Sequence, residues 1–336
     1  MTDAGEVQGV ILAGGQGSRM GALGEQYPKA LLPIGNDPVI AHHLRLLESL
    51  GVRDVCVVVG HRAGDFARVI GDGSAYGVRV EFIDQGPRLG SAHALGRARG
   101  RIRGPFILLL GDYYFVASEP ERMLWRLAAG ASAIAVKRET DPRLVSEACA
   151  VELDDSGRVL AITEKPVQPT TDAKGCGFYA LQPDFFDAIA RTPRTALRDE
   201  YELTVSLACH LEAGHTLYGE EIIARDANLT RPEDVLACNL DWLARAGRVS
   251  LIDDEAHVDE GLRLDYAVVG RGARVEGMTS LEQVVVFPGA HLRDTGGTLR
   301  RSLVTPTACI AVAPSPNADF SRADRPGFHP AAGGIV

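Results

Sequence analysis

Glycine and basic residues follow the first apolar run of the chain in a pattern that suits phosphate binding. The run ends at Leu12 and leads into Ala13-Gly14-Gly15-Gln16-Gly17-Ser18-Arg19, and Tyr27-Pro28-Lys29 comes shortly after. Glycines after a strand let backbone N–H groups converge on phosphate oxygens. Arginine and lysine add charge-assisted contacts. These residues therefore predict a site for a polyphosphate.

Two familiar phosphate loops do not fit this segment. The dinucleotide fingerprint requires glycine where Met20 stands, and an acidic residue where the second predicted strand ends in Val59-Gly60. A Walker loop requires Gly-Lys-Ser/Thr, and the chain contains no such triplet. A plain tight turn would explain the glycines alone equally well. Arg19 and Lys29 favour the phosphate site.

The same segment resembles the signature of the sugar-1-phosphate nucleotidylyltransferases, G-x-I-L-A-G-G-x-G-S-R followed by P-K-A-L. Further matches follow in the family's order: Gln85-Gly86-Pro87-Arg88-Leu89-Gly90-Ser91-Ala92, Leu110-Gly111-Asp112, Glu164-Lys165-Pro166, Arg198-Asp199-Glu200-Tyr201-Glu202-Leu203-Thr204 and Asn228-Leu229-Thr230-Arg231-Pro232-Glu233-Asp234-Val235. The resemblance covers roughly residues 7–245. It implies an α/β fold with a Rossmann-like, mixed but mostly parallel sheet, as in GT-A-like nucleotidyltransferases.

The reaction that this resemblance implies joins a nucleoside triphosphate to a sugar 1-phosphate and releases pyrophosphate. The attacking phosphate is already anionic, so catalysis reduces to positioning and charge neutralisation. The implied catalytic residues are Arg19, Lys29 and Asp112. The implied cofactor is Mg²⁺, held by Asp112 at the end of a buried strand and by Asn228, where many relatives carry Asp.

The resemblance also implies which residues contact the two substrates. The nucleotide-binding set is Leu12, Ala13, Gly14, Gly15, Gly17, Ser18, Gln85, Gly90 and Ser91. The sugar-phosphate set is Glu164, Lys165, Gly175, Gly177 and Arg198. We expect Lys165 and Arg198 to hold the phosphate, and Glu164 to accept hydrogen bonds from sugar hydroxyls.

The base stays open at this stage. Gln85 offers both a donor and an acceptor, which complements the edge of uracil or thymine and mildly favours UTP or dTTP. However, residues 284–290 and 303–306 resemble tails of mannose-1-phosphate guanylyltransferase-like members, which favours GTP.

Two departures from the family pattern concern the acceptor. Gly175 stands where the family usually has an Asn that contacts the sugar ring, and Val205 stands where it usually has Asp. We expect the sugar site to lose one polar contact and to gain space at Gly175. The acceptor would then not be simply glucose 1-phosphate bound in the usual way, and a modified sugar, a heptose or a cyclitol phosphate are candidates.

Strand and helix patterns alternate through the first part of the chain, which predicts a mostly parallel sheet covered on both faces. We predict strands at 8–12, 55–59, 78–83 and 106–110, a helix that starts at Asp37-Pro38 and stops at Gly51, and a helix over 91–99. Further strands are predicted at 131–137, 148–153, 159–163 and 178–181 and near 217–223, with helices at 202–213 and 232–246.

From about residue 250 the apolar positions recur with a period of about six residues, as in Val269, Val275, Leu281 and Phe287. This is the hexapeptide rhythm of a small parallel β-helix, and ordinary strands that coincide with that period are the alternative. The predicted domains are 1–248 (nucleotidyltransferase), 249–312 (short β-helix) and 313–336, a tail whose composition predicts disorder. We expect the β-helix to support a homo-oligomer.

Composition excludes several other classes. The 336 residues carry 35 Lys+Arg against 44 Asp+Glu, a net charge of −9, which argues against nucleic acid as the main partner. The six cysteines lack zinc or disulfide spacing, which suggests a reduced, cytoplasmic protein. No apolar stretch is long enough to span a membrane, and the N-terminus lacks the pattern of a signal peptide.

Two other functions remain open. One is a non-catalytic homologue that binds a nucleotide sugar and regulates a partner. The other is a bifunctional enzyme whose β-helix transfers an acyl group, although the repeat region of about 60 residues is short for that role.

Overall fold

A computed structural model describes residues 7–15, 17–60, 62–196 and 199–314 of the chain. The backbone packs as two compact units. The first unit holds the described residues within Met1–Gln16, Pro28–Ala30 and Ile40–Asp226, and the second holds those within Gly17–Tyr27, Leu31–Val39 and Ala227–Val336. Each unit is therefore assembled from separate stretches of sequence.

The elements are numbered in chain order. The helices are α1 (Ala22–Gln26), α2 (Val39–Ser49), α3 (Ala63–Ile70), α4 (Ser91–Gly96), α5 (Arg122–Ala128), α6 (Pro142–Ser146), α7 (Phe185–Arg191), α8 (Leu203–Glu212) and α9 (Pro232–Arg245). The strands are β1 (Gln8–Leu12), β2 (Pro33–Ile34), β3 (Asp37–Pro38), β4 (Asp54–Val59), β5 (Arg79–Asp84), β6 (Phe106–Leu110), β7 (Tyr113–Ala117), β8 (Ser132–Arg138), β9 (Cys149–Leu153), β10 (Val159–Glu164), β11 (Ala173–Leu181), β12 (Leu217–Glu221), β13 (Ile223–Asn228), β14 (Ser250–Ile252), β15 (His257–Val258), β16 (Arg263–Asp265), β17 (Ala267–Val269), β18 (Arg274–Glu276), β19 (Ser280–Val286), β20 (His291–Arg293), β21 (Thr298–Val304) and β22 (Cys309–Ala311).

A nine-stranded mixed sheet forms the centre of the first unit. Its order is β10-β9-β11-β6-β1-β4-β5, with β8 paired to β11 and β12 paired to β8. The strands β6, β1, β4 and β5 are parallel, whereas β9 and β11 run antiparallel to their neighbours. Apolar side chains of the sheet pack with those of α4, α7 and α8 in one buried core. The predicted α/β fold with a parallel-rich mixed sheet is confirmed.

Strand direction places the candidate site at one edge of this sheet. The parallel strands β1, β4 and β6 end at that edge, where ligands bind in open α/β sheets. Because β11 is antiparallel to β6, it begins at the same edge. Glu164 at the end of β10 pairs with Cys149 at the start of β9, and Cys149 pairs with Gly175 of β11. Loops and strand ends that are far apart in sequence therefore meet there.

In the second unit, strands β14–β21 stack with parallel pairing and β22 closes the stack antiparallel to β21. Paired residues on stacked strands are 17 or 18 residues apart, as in Leu251–Val268 and Ser280–Thr298. Inward-facing apolar side chains fill the stack.

The short stretch Leu31–Val39 is fixed to α9 within the same second unit. Asn239 of α9 donates its side-chain amide to the carbonyl of Pro33 at 2.9 Å and accepts the N–H of Gly35 at 2.8 Å. An ideal Cβ on Gly35 would lie 2.4 Å from the ring of Trp242, so only glycine allows the loop to pass so closely. One buried amide therefore holds both sides of the turn.

Most predicted elements are present, with four differences. The helix predicted over 91–99 ends at Gly96. The helix predicted from Asp37 begins at Val39, because Asp37 and Pro38 pair with Pro33 and Ile34 as a two-residue ladder. Strand β11 begins at Ala173, well before the predicted residue 178, and the strand predicted near 217–223 is two strands, β12 and β13.

The predicted domain bounds stay predictions. Residues 315–336, which make up most of the predicted tail, lie outside the described residues. Among the described residues, no helix combines the length and apolar character needed to cross a bilayer.

Candidate active site

The glycine loop after β1 is held against the end of β4 and against one glutamine side chain. Ala13 donates its backbone N–H to the carbonyl of Val58 at 2.8 Å. An ideal Cβ on Gly14 would lie 1.7 Å from Oε1 of Gln85, so a side chain there would displace the glutamine amide. The Gln85 side chain is buried. Three predicted nucleotide-binding residues, Ala13, Gly14 and Gln85, are thus brought together.

Lys29 and Asp112 form an ion pair next to this loop. The distance from Nζ to Oδ2 is 3.0 Å, and the two side chains are 11% and 32% exposed. The preceding residue, Gly111, donates its N–H to the carbonyl of Leu12 at 2.8 Å. An ideal Cβ on Gly111 would lie 2.8 Å from that same oxygen. Glycine therefore lets the ends of β6 and β1 approach, which positions the carboxylate beside the ammonium group.

The oxygen donors at two predicted positions suit a hard divalent cation. Asp112 offers a partly exposed carboxylate in the first unit. Asn228 belongs to the second unit, and its Oδ1 is buried with no hydrogen-bond partner among the residues that the structure describes. Carboxylate and amide oxygens are ligands for Mg²⁺ or Ca²⁺, and a buried oxygen without a partner favours an added cation. Each residue by itself fits the predicted ligand role.

The loop that follows β5 is tied to the start of α8. Tyr201 donates its N–H to the carbonyl of Leu89 at 2.7 Å, and Leu203 donates its N–H to Oγ of Ser91 at 2.9 Å. An ideal Cβ on Gly90 would lie 2.4 Å from the carbonyl oxygen of Tyr201. Gly90 and Ser91 therefore join two of the predicted motifs structurally. Their contact with a base stays a prediction.

Three strands present a row of residues at the part of the edge that carries the predicted sugar-phosphate set. Glu164, Cys149 and Gly175 pair across β10, β9 and β11. Thr204 of α8 donates its hydroxyl to Oε2 of Glu164 at 3.0 Å, and Nζ of Lys165 lies 3.2 Å from Oε1. The carboxylate of Glu164 is therefore oriented by two partners. We call Glu164, Cys149 and Gly175 the acceptor row.

Lys165 has a left-handed backbone, with φ of 41°. Its N–H donates to the carbonyl of Ala148 at 2.9 Å. A positive φ is strained for a residue with a side chain, and such strain is common at functional sites.

The predicted gain of space at Gly175 is wrong. An ideal Cβ there would lie 2.5 Å from Sγ of Cys149 and 2.8 Å from Cδ1 of Ile134. The volume that a side chain on β11 would use is filled from the neighbouring strands. Gly175 therefore reflects a close contact and not an opening.

Gly177 and Tyr179 lie further along β11. Gly177 has φ of 71° within an irregular part of the strand, and its ideal Cβ would lie 2.9 Å from the ring of Tyr113. The Tyr179 phenol is buried, and burial raises its pKa well above the usual value. The carboxylates of Glu164 and Asp112 shift this pKa in the same direction.

Gly15, Gly17, Ser18, Arg19 and Arg198 are the remaining predicted residues. Gly17 and Arg19 lie in the second unit, where Ser18–Met20 forms one 3₁₀ turn and the Arg19 side chain is exposed. Gly15 is exposed and meets no heavy atom that would exclude a Cβ. Arg198 lies outside the described residues.

Three of the residues described above carry no predicted role: Cys149, Tyr179 and Thr204. Thr204 ends the motif that contains Glu202 and Leu203, and Tyr179 follows Gly175 and Gly177 at even spacing, so both had a weak signal in sequence. Cys149 had none, because its contact with Gly175 depends on strand pairing between segments far apart in the chain.

A parallel-rich sheet whose edge carries a glycine loop, a lysine–aspartate pair and a glutamate–lysine pair defines a protein that handles phosphorylated substrates. The nucleotidyl transferase family matches residues 8–225. The chain belongs to this family, and the resemblance predicted from the motifs is confirmed.

Individual relatives agree with this assignment. The chain is 31% identical over 267 residues to the low-salt glycan biosynthesis nucleotidyltransferase Agl11 of Haloferax volcanii, covering 77% of this chain and 72% of that protein. It is 30% identical over 287 residues to a glucose-1-phosphate thymidylyltransferase of Streptomyces griseus, covering 80% and 79%. The crystal structure of a putative glucose-1-phosphate thymidylyltransferase from Bacillus anthracis in complex with a sucrose shares the fold, with a TM-score of 0.62, 24% identity and coverage of 69% and 94%.

Proposed function

We propose that this protein transfers a nucleotidyl group from a nucleoside triphosphate to a sugar 1-phosphate and releases pyrophosphate. The observation that carries the proposal is the position of the Lys29–Asp112 pair, which lies next to the glycine loop at the sheet edge where Glu164 also ends its strand. That arrangement provides one place for a polyphosphate and another for a sugar.

In the proposed reaction, an oxygen of the sugar phosphate attacks the α-phosphorus. A new P–O bond forms, the bond from the α-phosphorus to the bridging oxygen breaks, and pyrophosphate leaves with that electron pair. Lys29 and Arg19 offset the charge of the triphosphate, and the glycine loop orients it through backbone N–H groups. Lys165 and Arg198 hold the sugar phosphate, and Glu164 accepts hydrogen bonds from the sugar. No protein nucleophile takes part.

The proposed metal is Mg²⁺, with Asp112 and Asn228 as its protein ligands. When bound, the ion neutralises phosphate charge and helps to orient the reacting groups. The buried, unpartnered Oδ1 of Asn228 supports this assignment, with partners counted over the described residues only.

For the nucleotide, we propose UTP or dTTP, with GTP as the alternative. The buried amide of Gln85 against the glycine loop supports a pyrimidine, because an amide complements the uracil or thymine edge. Relatives are named thymidylyl-, uridylyl- and guanylyltransferases, so their names do not decide between the bases.

For the acceptor, we propose a modified sugar, a heptose or a cyclitol phosphate in place of plain glucose 1-phosphate. The loss of a polar side chain at Gly175, without any gain of room, and the apolar residue at Val205 support this choice.

We further propose that residues 249–312 form a short parallel β-helix that supports a homo-oligomer in the cytoplasm. The parallel strands with partners 17 or 18 residues apart, close to three hexapeptides per coil, support the β-helix.

The test is a pyrophosphate-release assay with the full chain and Mg²⁺. It crosses UTP, dTTP, GTP, ATP and CTP with a panel of hexose, deoxyhexose, heptose and cyclitol 1-phosphates. We expect release with at least one pair. No release with any pair would contradict the proposal and favour a non-catalytic, regulatory homologue.

A further inference from the structure

Cys149 lies between two residues that the proposed function assigns to the acceptor. It pairs with Glu164 on one side and with Gly175 on the other. Directly paired residues on neighbouring strands point their side chains to the same face of a sheet. The thiol therefore shares a face with the Glu164 carboxylate and stands over the bare backbone of Gly175.

The thiol occupies the space that a side chain at residue 175 would need. An ideal Cβ on Gly175 would lie 2.5 Å from Sγ of Cys149, closer than real Cβ contacts. The two positions are thus coupled: with cysteine at 149, residue 175 has to be glycine. The group on this part of the acceptor row comes from β9 and is a thiol.

Burial keeps this group neutral. Removal from water raises the pKa of the Cys149 thiol to about 12, and the nearby Glu164 carboxylate acts in the same direction. A protonated thiol is a weak donor and a weak acceptor, so it behaves as a small apolar group. It does not act as a nucleophile at neutral pH.

We propose that Cys149 determines acceptor specificity, and that it selects a sugar 1-phosphate that lacks a hydroxyl at the position facing the thiol. This rests on the proposed function. A hydroxyl placed against the thiol would lose water without gaining a strong partner, whereas a deoxy position or an apolar substituent would lose nothing. A buried hydroxyl left without a partner changes the ratio of kcat/KM between two acceptors by about 5- to 150-fold.

The test compares the wild-type chain with Cys149→Ser, which keeps the shape and adds a strong donor and acceptor. The acceptors are glucose 1-phosphate and its 2-, 3-, 4- and 6-deoxy analogues. We expect wild type to prefer one deoxy analogue in kcat/KM. We expect Cys149→Ser to shift that ratio at least about fivefold toward glucose 1-phosphate, with KM for the nucleotide unchanged.

Cys176→Ser is the matched control. Cys176 is a second buried thiol, on β11 next to Gly175, and its Sγ lies 3.6 Å from the carbonyl oxygen of Lys174. We expect it to leave the acceptor ratio unchanged. If Cys149→Ser does not fold, the acceptor ratio is measured with Cys149→Ala in its place. It should also keep the deoxy preference, because it restores no polar partner.

The two proposals fail in different ways. No pyrophosphate release with any pair of the broad panel overturns the proposed function and this inference with it. Release by wild type, with the same acceptor ratio in Cys149→Ser or a lost preference in Cys149→Ala, overturns the inference alone.

Discussion

The nucleotide end and the acceptor end of the sheet edge are built with different degrees of constraint. At the nucleotide end, Gly111 lies against the backbone carbonyl of Leu12 at a distance that excludes any Cβ. At the acceptor end, Gly175 is equally constrained, but by a side chain and not by backbone. A backbone contact fixes the residue type, because backbone cannot be substituted. A side-chain contact can be exchanged together with its partner.

This difference explains why the nucleotide end keeps the family motif while the acceptor end departs from it. The glycine at residue 111 is required by the approach of two strands that build the fold. The glycine at residue 175 is required only while residue 149 is cysteine. Experiments on the two ends should therefore give effects of different kind and size.

The largest effect is expected at the nucleotide end, from Asp112→Asn. This change removes the carboxylate that pairs with Lys29 at 3.0 Å and that we assign to the metal. We expect kcat for pyrophosphate release to fall by about 10²–10³-fold, as when one charge-stabilising group is removed from an active site.

Asp84→Asn is the control for that variant, because Asp84 ends strand β5 of the same sheet with an exposed side chain. We expect it to retain activity. Wild-type turnover in Asp112→Asn would refute the metal assignment.

Tyr113 follows Asp112 of the nucleotide end, and its ring lies beside Gly177 of the acceptor end. We expect the hydrogen bond from His43 that holds Tyr113 to be sensitive to acid. The buried Nε2 of His43 donates to the Tyr113 carbonyl at 2.8 Å, and the Tyr113 ring contacts Gly177. Burial lowers the pKa of His43 to about 4 from an ordinary value near 6.5. The unfolded chain therefore binds the extra proton at higher pH than the folded chain does. The contribution of neutral His43 to the free energy of unfolding is complete above about pH 6.5, and it is lost as the pH falls toward 4.

We expect His43 to account for about 3 kcal/mol of the free energy of unfolding across that range. Urea unfolding at pH 7, 6, 5 and 4 measures it. His43→Gln keeps a donor for the Tyr113 carbonyl and should flatten the pH dependence. Equal slopes in the variant and wild type would show that His43 is not the titrating group.

Gly111→Ala tests whether backbone contacts constrain the nucleotide end. The added Cβ would lie 2.8 Å from the Leu12 carbonyl oxygen and would push β6 away from β1. Because Asp112 follows directly, we expect kcat to fall by about 10- to 100-fold as the carboxylate is displaced.

Gly64→Ala provides the comparison, since a Cβ there meets no atom within 4 Å and φ is not positive. It should unfold at the wild-type temperature and retain activity. If Gly111→Ala kept wild-type kcat, the close approach of the two strands would not position Asp112.

Sequence reasoning worked where one contiguous segment carries the signal. The strands at β1 and β6 were predicted with their observed bounds, and Asp112 follows the end of a buried strand as expected. It did not work where the result depends on which strands become neighbours. The contact of Cys149 with Gly175 joins residues from β9 and β11, so the missing Asn was interpreted as space.

The same reason accounts for the errors at Asp37 and in β11. Asp37-Pro38 has the residue types of a helix start, but pairing with Pro33 and Ile34 takes them into a short ladder. The segment before Phe178 lacks a strand pattern because Lys174, Gly175 and Gly177 interrupt it. Pairing with β8 and β9 nevertheless extends the strand back to Ala173.

The smallest effect is expected at the acceptor end, from Thr204→Val. The hydroxyl of Thr204 donates to Oε2 of Glu164 at 3.0 Å and orients the carboxylate that we assign to the sugar. Valine keeps the shape and removes the donor, while the Lys165 contact with Oε1 remains. We therefore expect only about a 5- to 10-fold rise in KM for the sugar 1-phosphate, corresponding to one hydrogen bond of about 1 kcal/mol. KM for the nucleotide should not change, because the nucleotide end makes no use of this hydroxyl. A joint rise of both KM values would mean that the two ends are not independent, and that the difference between a backbone-fixed nucleotide end and an exchangeable acceptor end does not hold.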